Sequence, residues 1–210
     1  MRIKFARLTR MMCLLIPLLL VLSMGGCRTS TPPPPLEDIY DAAVALIEAS
    51  FAVNDVMFGA GLPVWHVGSE FAEQYGLYND DDYATYEYVT NDSPYLSIGE
   101  IKDAIAQVYS KEYAQSLYGV LFDGYVVGTR VVRAQIYEGA NGLMQSIDYE
   151  PIITQQRVYD YTTMQIVSPS NATYVTISLD SYEEGKTEPT LAHLKLILEQ
   201  DGWRLDTPTY

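Results

Sequence analysis

The chain is poor in the residues that most enzymes use for covalent or metal chemistry. Its 210 residues include two cysteines and two histidines. Both cysteines, Cys13 and Cys27, lie early in the chain, so the part after Cys27 has no thiol. That part cannot form an internal disulfide, supply a thiolate nucleophile or build a cysteine-ligated metal site. It also lacks the G-x-S-x-G and Ser-x-x-Lys motifs of hydrolases with a serine nucleophile.

Basic residues are scarce as well, with 13 against 27 acidic residues. Four of the 13 fall within the first ten positions, at Arg2, Lys4, Arg7 and Arg10. From residue 27 onward, 9 basic residues face the same 27 acidic ones, which gives a net charge of −18 with histidine neutral. Nucleic acid and anionic lipid repel such a surface, so neither is an expected charge-driven partner.

The chain has no apolar run long enough to span a membrane. Residues 11–24 carry no charge, but a spanning helix needs about 20 apolar residues. A basic start, a short apolar run and the small residues Gly25 and Gly26 are typical of a secretory signal peptide. The sequence therefore predicts a signal peptide over residues 1–26.

Gly25-Gly26-Cys27 resembles the lipobox of bacterial lipoproteins, although Met24 stands where that motif usually has leucine. The resemblance implies that cleavage occurs before Cys27 and that its sulfur receives a diacylglyceryl group. A two-chain lipid holds a protein on a membrane without a spanning helix. We therefore expect a protein anchored by lipid to the outward-facing side of a cell membrane, with residues 27–35, rich in proline, as a stiff tether.

Apolar residues at helical spacing predict helices in the first part of the domain. The first is expected over Leu36–Phe58, with Gly59 in the C-terminal position. Ser97 and Glu100 form a capping box for a second helix that reaches about Tyr109. A third, shorter helix is expected from a cap at Ser110 to Tyr118, with a stop at Gly119.

After Gly119 the pattern changes to strands. It comprises a β-branched run over Thr129–Tyr137, a hairpin turn at Asn141-Gly142, alternating segments at Arg157–Val167, Thr173–Tyr182 and Leu191–Glu199, and a closing "WRLD". Helices followed by strands predict an α+β fold, with N-terminal helices packed on a curved antiparallel meander of about four to six strands. Residues 36–210 are expected to form this single domain.

The candidate ligand contacts are aromatic. All 18 tyrosines lie after Cys27. A loop after Pro63 places an indole beside an imidazole, and a tyrosine-rich stretch follows, with a possible short strand over 83–89. The candidate ligand-contact residues are Trp65, His66, Tyr83, Tyr86 and Tyr88. The alternative is that Trp65 is packed, His66 lies on the surface and the tyrosines line the rim of a sheet.

Metal and acid–base sites are weakly indicated. Asp80–Asp82 suggests calcium, but the sixth and twelfth positions from Asp80 are Thr85 and Asn91, so the EF-hand pattern fails. His193 is expected to face solvent without the partners that a general base needs. The sequence predicts no metal site and no cofactor.

Two stretches of the domain resemble a known group of proteins. "SIGEIKDAIAQVYSKEYAQSLYGVLFDGY" and "LEQDGWRLDTPTY" are similar to segments of small lipoproteins of Gram-positive bacteria, some of them similar to IseA-type inhibitors of cell-wall DL-endopeptidases. The order of helices and sheet also looks like the cystatin/NTF2 shape. The resemblance covers about a fifth of the chain and implies no catalytic residue.

Three functions stay open at this point. The first is a non-catalytic binding module at the cell envelope, which would act as an inhibitor or modulator of a cell-wall hydrolase. Its ligand would be a basic cell-wall protein or a glycan. The second is an envelope enzyme with carboxylate or histidine chemistry in a cone-shaped pocket, and the third is a structural assembly lipoprotein. The missing nucleophile and the acidic, tyrosine-rich composition favour the first.

Overall fold

The computed structural model describes residues 31–65, 86–127, 130–132, 134–153, 157–183 and 185–210. Pro32–Tyr210 forms one compact unit. Cys27, His66, Tyr83 and the Asp80–Asp82 run lie outside the described residues. Among the described helices, none combines the length and the apolar character that crossing a membrane requires.

Among the described residues, three α-helices precede most of the strands. They are α1 (Leu36–Phe58), α2 (Ile98–Val108) and α3 (Lys111–Tyr118), and a π-helical turn (Gly119–Asp123) follows α3 directly. α1 begins after Pro35 with acidic residues in its first turn, where they complement the helix dipole, and ends at Gly59 as predicted. Its buried face includes Ile39, Ala43 and Ile47.

Both predicted serine caps are present. Ser97 Oγ accepts a hydrogen bond from Glu100 N at 3.2 Å, and Ser110 Oγ accepts one from Tyr113 N at 3.1 Å. The capping box at α2 is shifted by one residue, because the Glu100 carboxylate accepts from Leu96 N at 2.7 Å. Each cap pairs one of the amide groups that the first turn of a helix leaves without an intrahelical partner.

The described strands form two four-stranded antiparallel sheets and a two-stranded ribbon. Sheet 1 has the order β1-β2-β6-β5 and consists of β1 (Val64–Trp65), β2 (Tyr86–Val89), β5 (Ile136–Gly139) and β6 (Gly142–Ser146). The ribbon consists of β3 (Tyr125–Val127) and β4 (Arg130–Val132). Sheet 2 has the order β10-β9-β8-β7 and consists of β7 (Arg157–Asn171), β8 (Tyr174–Glu183), β9 (Thr190–Glu199) and β10 (Gly202–Leu205).

Sheet 2 is the predicted antiparallel meander, and the α+β fold is confirmed. Alternate residues of β8 face the core, with Val175, Ile177 and Leu179 fully buried. Leu194 and Leu196 of β9 join them, as the alternation predicts, whereas Leu198 near the end of that strand is 41% exposed. Fully burying such a side chain contributes about 1.5–3 kcal/mol, so this inner face is a main source of stability.

The inner face of sheet 2 is covered by α1. Phe51 of α1 stacks on Tyr159 of β7, with ring centroids 6.3 Å apart, and the Tyr161 hydroxyl donates to Glu48 Oε1 at 2.6 Å. Residues 206–210 continue beyond β10 and bring Thr209 between α1 and β7. The inner face is therefore a packed core, filled by a helix and by the last residues of the chain.

Three local predictions need correction. α3 ends at Tyr118 as predicted, but the chain does not leave helical geometry at Gly119, because that residue has αR dihedral angles and starts the π-helical turn. The run over Thr129–Tyr137 is not one strand, since β4 and β5 lie in the ribbon and in sheet 1 respectively. Trp65 is not in a loop but in β1, which pairs with β2.

Candidate binding face

One row of side chains crosses all four strands of sheet 1. In the strand register Trp65 lies opposite Tyr88, Tyr88 lies opposite Met144, and Met144 lies opposite Tyr137. Paired residues point to the same face of a sheet. We call these four residues the aromatic row. With neighbouring strands about 4.8 Å apart, it extends over about 14 Å.

Tyr86 lies on the same face as the aromatic row, two residues before Tyr88. Its ring centroid is 5.8 Å from that of Tyr137, and the two planes are tilted by 44°. The Tyr86 hydroxyl donates to the carbonyl oxygen of Ala134 at 2.8 Å. This bond ties β2 to the segment that enters β5, which sets the orientation of the ring.

Burial differs sharply along the row. Met144 is only 1% exposed, yet it does not belong to the main hydrophobic core. Trp65 and Tyr88 are half-buried, and Tyr137 is 38% exposed. In the strand register Met144 lies between Tyr88 and Tyr137, and a thioether packs favourably beside aromatic rings. Met144 therefore supports the rings from within the face.

The opposite face of sheet 1 packs into the core. Ile136 and Leu143 are buried there, and Gln145 Oε1 accepts a hydrogen bond from Leu62 N at 2.7 Å. Gly61 approaches that amide so closely that a Cβ would lie 2.7 Å from Gln145 Oε1, and its φ of +80° favours glycine. This close approach holds the segment before β1 against the sheet and thereby positions Trp65.

The structure brings three of the five predicted ligand-contact residues together. Trp65, Tyr86 and Tyr88 share one face, while His66 and Tyr83 lie outside the described residues. Sequence reasoning missed Tyr137 and Met144. The hairpin signal at Asn141-Gly142 was the available clue, but its position is one residue too late: Gly139 pairs with Gly142, so the loop is Ala140-Asn141 and Tyr137 lies opposite Met144.

The tyrosine hydroxyls with resolved pKa shifts stay protonated near neutral pH. Burial raises the pKa of Tyr159 to about 12. Burial, reinforced by the Asp55 carboxylate, also raises the pKa of Tyr149 to about 12. The pKa of Tyr161 is raised by burial and by its hydrogen bond to Glu48. These groups serve as hydrogen-bond donors rather than as bases.

Other parts of the described chain offer little for catalysis. His193 is exposed on the outer face of sheet 2, where it lies opposite Ser178. Within the described ranges, no three histidine, cysteine or acidic side chains come close enough to hold a metal ion. A cavity between Asn54, Arg157 and Tyr210 measures about 20 Å³, which is room for one water molecule.

No protein family, curated protein or solved structure matches the chain. The aromatic row of sheet 1 is thus the main candidate for a binding face. The exposed Tyr137 and the exposed parts of Trp65, Tyr86 and Tyr88 form its surface, which is amphipathic because each tyrosine combines an apolar ring with a polar hydroxyl.

Proposed function

We propose that the protein is a lipid-anchored binding module on the outward-facing side of a cell membrane. It binds a basic protein of the cell envelope, such as a cell-wall hydrolase, and modulates it without catalysis of its own. The observation that carries this proposal is the aromatic row, in which Tyr88 and Tyr137 flank the buried Met144 and Trp65 follows beyond Tyr88 on the same sheet face.

Charge favours a protein partner over a wall polymer. The chain from residue 27 onward has 27 acidic residues and 9 basic ones, which attracts a basic surface and repels an anionic glycan. Aromatic residues are enriched at the centres of protein interfaces, where they supply most of the binding free energy. The aromatic row and the acidic surface together suit a basic protein.

The packing of sheet 2 supports a binding role rather than the alternative of an enzyme. A cone-shaped catalytic pocket needs an open inner face, and here α1 and Thr209 occupy that face. The binding energy is therefore expected to come from an exposed surface instead of from an enclosed pocket.

A quantitative pull-down tests the proposal. The full-length protein is immobilised through a C-terminal tag and exposed to an envelope extract, and the Tyr88→Ala variant is compared with Tyr174→Ala, which removes a tyrosine from sheet 2. We expect the wild type and Tyr174→Ala to retain a basic protein. Added salt is expected to reduce this retention, because it screens the attraction between opposite charges. Tyr88→Ala is expected to retain at least tenfold less of this protein than the wild type, which corresponds to about 1.4 kcal/mol of binding free energy.

Two results would contradict the proposal. One is retention of the same protein by Tyr88→Ala at the wild-type level, with circular dichroism showing that both variants are folded. The other is retention of wall glycan alone, which would replace the protein partner by a polysaccharide.

A further inference from the structure

A second surface lies on the outer face of sheet 2, at the end where β7 begins and β8 ends. Val158 is paired with Tyr182, Asp160 is paired with Asp180, and Asp180 is also paired with Leu191. These register pairs put the five side chains on one face across three strands. We call them the β7–β9 patch.

The patch is apolar and unusually open. Val158 is 58% exposed and Leu191 is 57% exposed, and the half-buried ring of Tyr182 shares their face. Further along the same face the residues become polar, with Ser178 opposite His193 and Thr176 opposite Lys195. These polar residues separate the patch from Tyr174 and Ile197, which pair with each other at the other end of the same face. Contiguous exposed apolar residues with a polar border are typical of interaction sites.

Two carboxylates stand beside these apolar side chains. Asp160 and Asp180 are direct cross-strand partners, and like charges placed opposite each other destabilise a sheet. Asp160 Oδ1 accepts hydrogen bonds from Thr162 N at 3.0 Å and from Thr162 Oγ1 at 2.6 Å, which holds that carboxylate in place. The ion pairs of the described chain are Lys186–Glu183 and Arg204–Asp201, so neither aspartate of the patch is paired with a base there.

We propose that the β7–β9 patch docks a basic segment of a partner protein, one that carries a lysine or arginine beside an apolar side chain. A cation between Asp160 and Asp180 relieves their repulsion, and Val158 and Leu191 lose exposed apolar area at the same time. A second copy of this chain is a poor occupant, because its own acidic surface would meet the two carboxylates. The inference goes beyond the aromatic row, which lies on a different sheet.

A pair of synthetic peptides tests this surface on the full-length protein. The probe is Ac-KLKVKL-NH2 and its acidic counterpart is Ac-ELEVEL-NH2, with binding measured by calorimetry at low salt. The double variant D160N/D180N is compared with E37Q/D41N, which removes the same charge from the exposed face of α1. We expect D160N/D180N to weaken binding of the basic probe about fivefold and E37Q/D41N to change it by less than about twofold.

An apolar variant separates docking from general charge attraction. V158T/L191T keeps every charge, and we expect it to weaken binding of the basic probe by about fivefold as well. Equal losses in D160N/D180N and E37Q/D41N, unchanged binding in V158T/L191T, or equal binding of the acidic peptide would each overturn the proposal. Tyr88→Ala is expected to bind the basic probe as the wild type does. The test of the β7–β9 patch can therefore fail without contradicting the proposal that the aromatic row binds a partner.

Thermal denaturation shows whether the variants are folded. Because D160N/D180N removes a like-charge pair, its thermal midpoint is expected to equal or exceed that of the wild type. A lower midpoint would contradict the premise that the two carboxylates repel each other in the free protein.

Discussion

Thr209 is the residue at which a buried polar cluster converges. Its Oγ1 lies 2.5 Å from Ser50 Oγ and accepts from Asn54 Nδ2 at 2.8 Å, while its carbonyl oxygen accepts from the Tyr159 hydroxyl at 2.9 Å. The Tyr109 hydroxyl completes the cluster by donating to Asn54 Oδ1 at 2.6 Å. All five residues are buried. Because buried polar groups are costly when unpaired, the cluster permits only one arrangement of α1 against the strands.

Removal of the Tyr109 hydroxyl is therefore expected to destabilise the fold. In Tyr109→Phe, the buried Asn54 Oδ1 loses its donor, and we expect a loss of about 1–3 kcal/mol in the free energy of unfolding. Urea denaturation measures the loss. Tyr161→Phe serves as the control, because its hydrogen bond to Glu48 is exposed and solvent replaces it. Equal losses in the two variants would show that the cluster contributes nothing beyond an exposed bond.

Alkaline pH is expected to lower the free energy of unfolding through the buried tyrosine hydroxyls. Burial raises the pKa of Tyr159 in the folded state from 10.0 to about 12, so the folded protein holds the phenolic proton when the unfolded chain has released it. Stability from this group is fully present below pH 10.0 and falls as the pH rises toward about 12. The pKa of Tyr149 is raised in the same direction and to about 12.

The measurement is the urea midpoint followed across that pH window. Tyr159→Phe is expected to show a shallower decline than the wild type, and Tyr159→Phe/Tyr149→Phe a shallower one still. Declines that are parallel in all three proteins would mean that these two hydroxyls ionise alike in the folded and unfolded states.

At the scale of elements, helices and strands were predictable where the spacing of apolar residues in the sequence matches the spacing of buried residues in the structure. The alternation of β8 predicted its core-facing residues, and Ser97 and Ser110 marked the starts of α2 and α3. The π-helical turn was not predictable, because Gly119 is a common helix stop and nothing local shows that it keeps αR angles.

The candidate site was only half predictable, since its geometry depends on contacts between distant parts of the chain. Trp65, Tyr86 and Tyr88 stood out as aromatic residues near one another in sequence. Met144 and Tyr137 join them through strand pairing across more than 40 positions, which a local pattern does not contain. The placement of Thr209 under α1 is likewise a long-range result of packing.

The two serine caps are expected to differ in their contribution to stability. Ser97 makes a capping bond at a half-buried helix start, so Ser97→Ala is expected to cost about 1 kcal/mol. Ser110 is 1% exposed and, besides capping α3, donates to Asp206 Oδ1 at 2.5 Å. Ser110→Ala also loses this bond to a charged group and is expected to cost about 2–3 kcal/mol.

Urea denaturation of the two variants, each compared with the wild type, checks this order. An equal cost would show that the bond from Ser110 to Asp206 adds nothing to the cap. A larger cost for Ser97→Ala would contradict the reading of Ser110 as the residue that joins α3 to the segment after β10.

At the scale of the whole molecule, the charge opposes binding to an anionic membrane without an anchor. The part from residue 27 onward has 27 acidic and 9 basic residues, so it is repelled by an anionic membrane surface. In the expected tether, residues 27–35, eight residues lie between Cys27 and the start of α1. In a polyproline II conformation that corresponds to about 25 Å. A binding face on the domain would then meet partners close to, but not on, the membrane.

Substitution of Cys27 tests this arrangement. Each buried methylene of an acyl chain contributes about 0.8 kcal/mol, and two chains give stable anchoring where one gives only marginal binding. In Cys27→Ala the sulfur that would carry the diacylglyceryl group is missing, so we expect the protein to move from the membrane pellet to the soluble fraction. Cys13→Ala is the matched control, because it removes the other cysteine and leaves Gly25-Gly26-Cys27 intact. If Cys27→Ala still pellets with membranes like Cys13→Ala, the anchor is wrong, and the partner must be sought elsewhere than at the membrane surface.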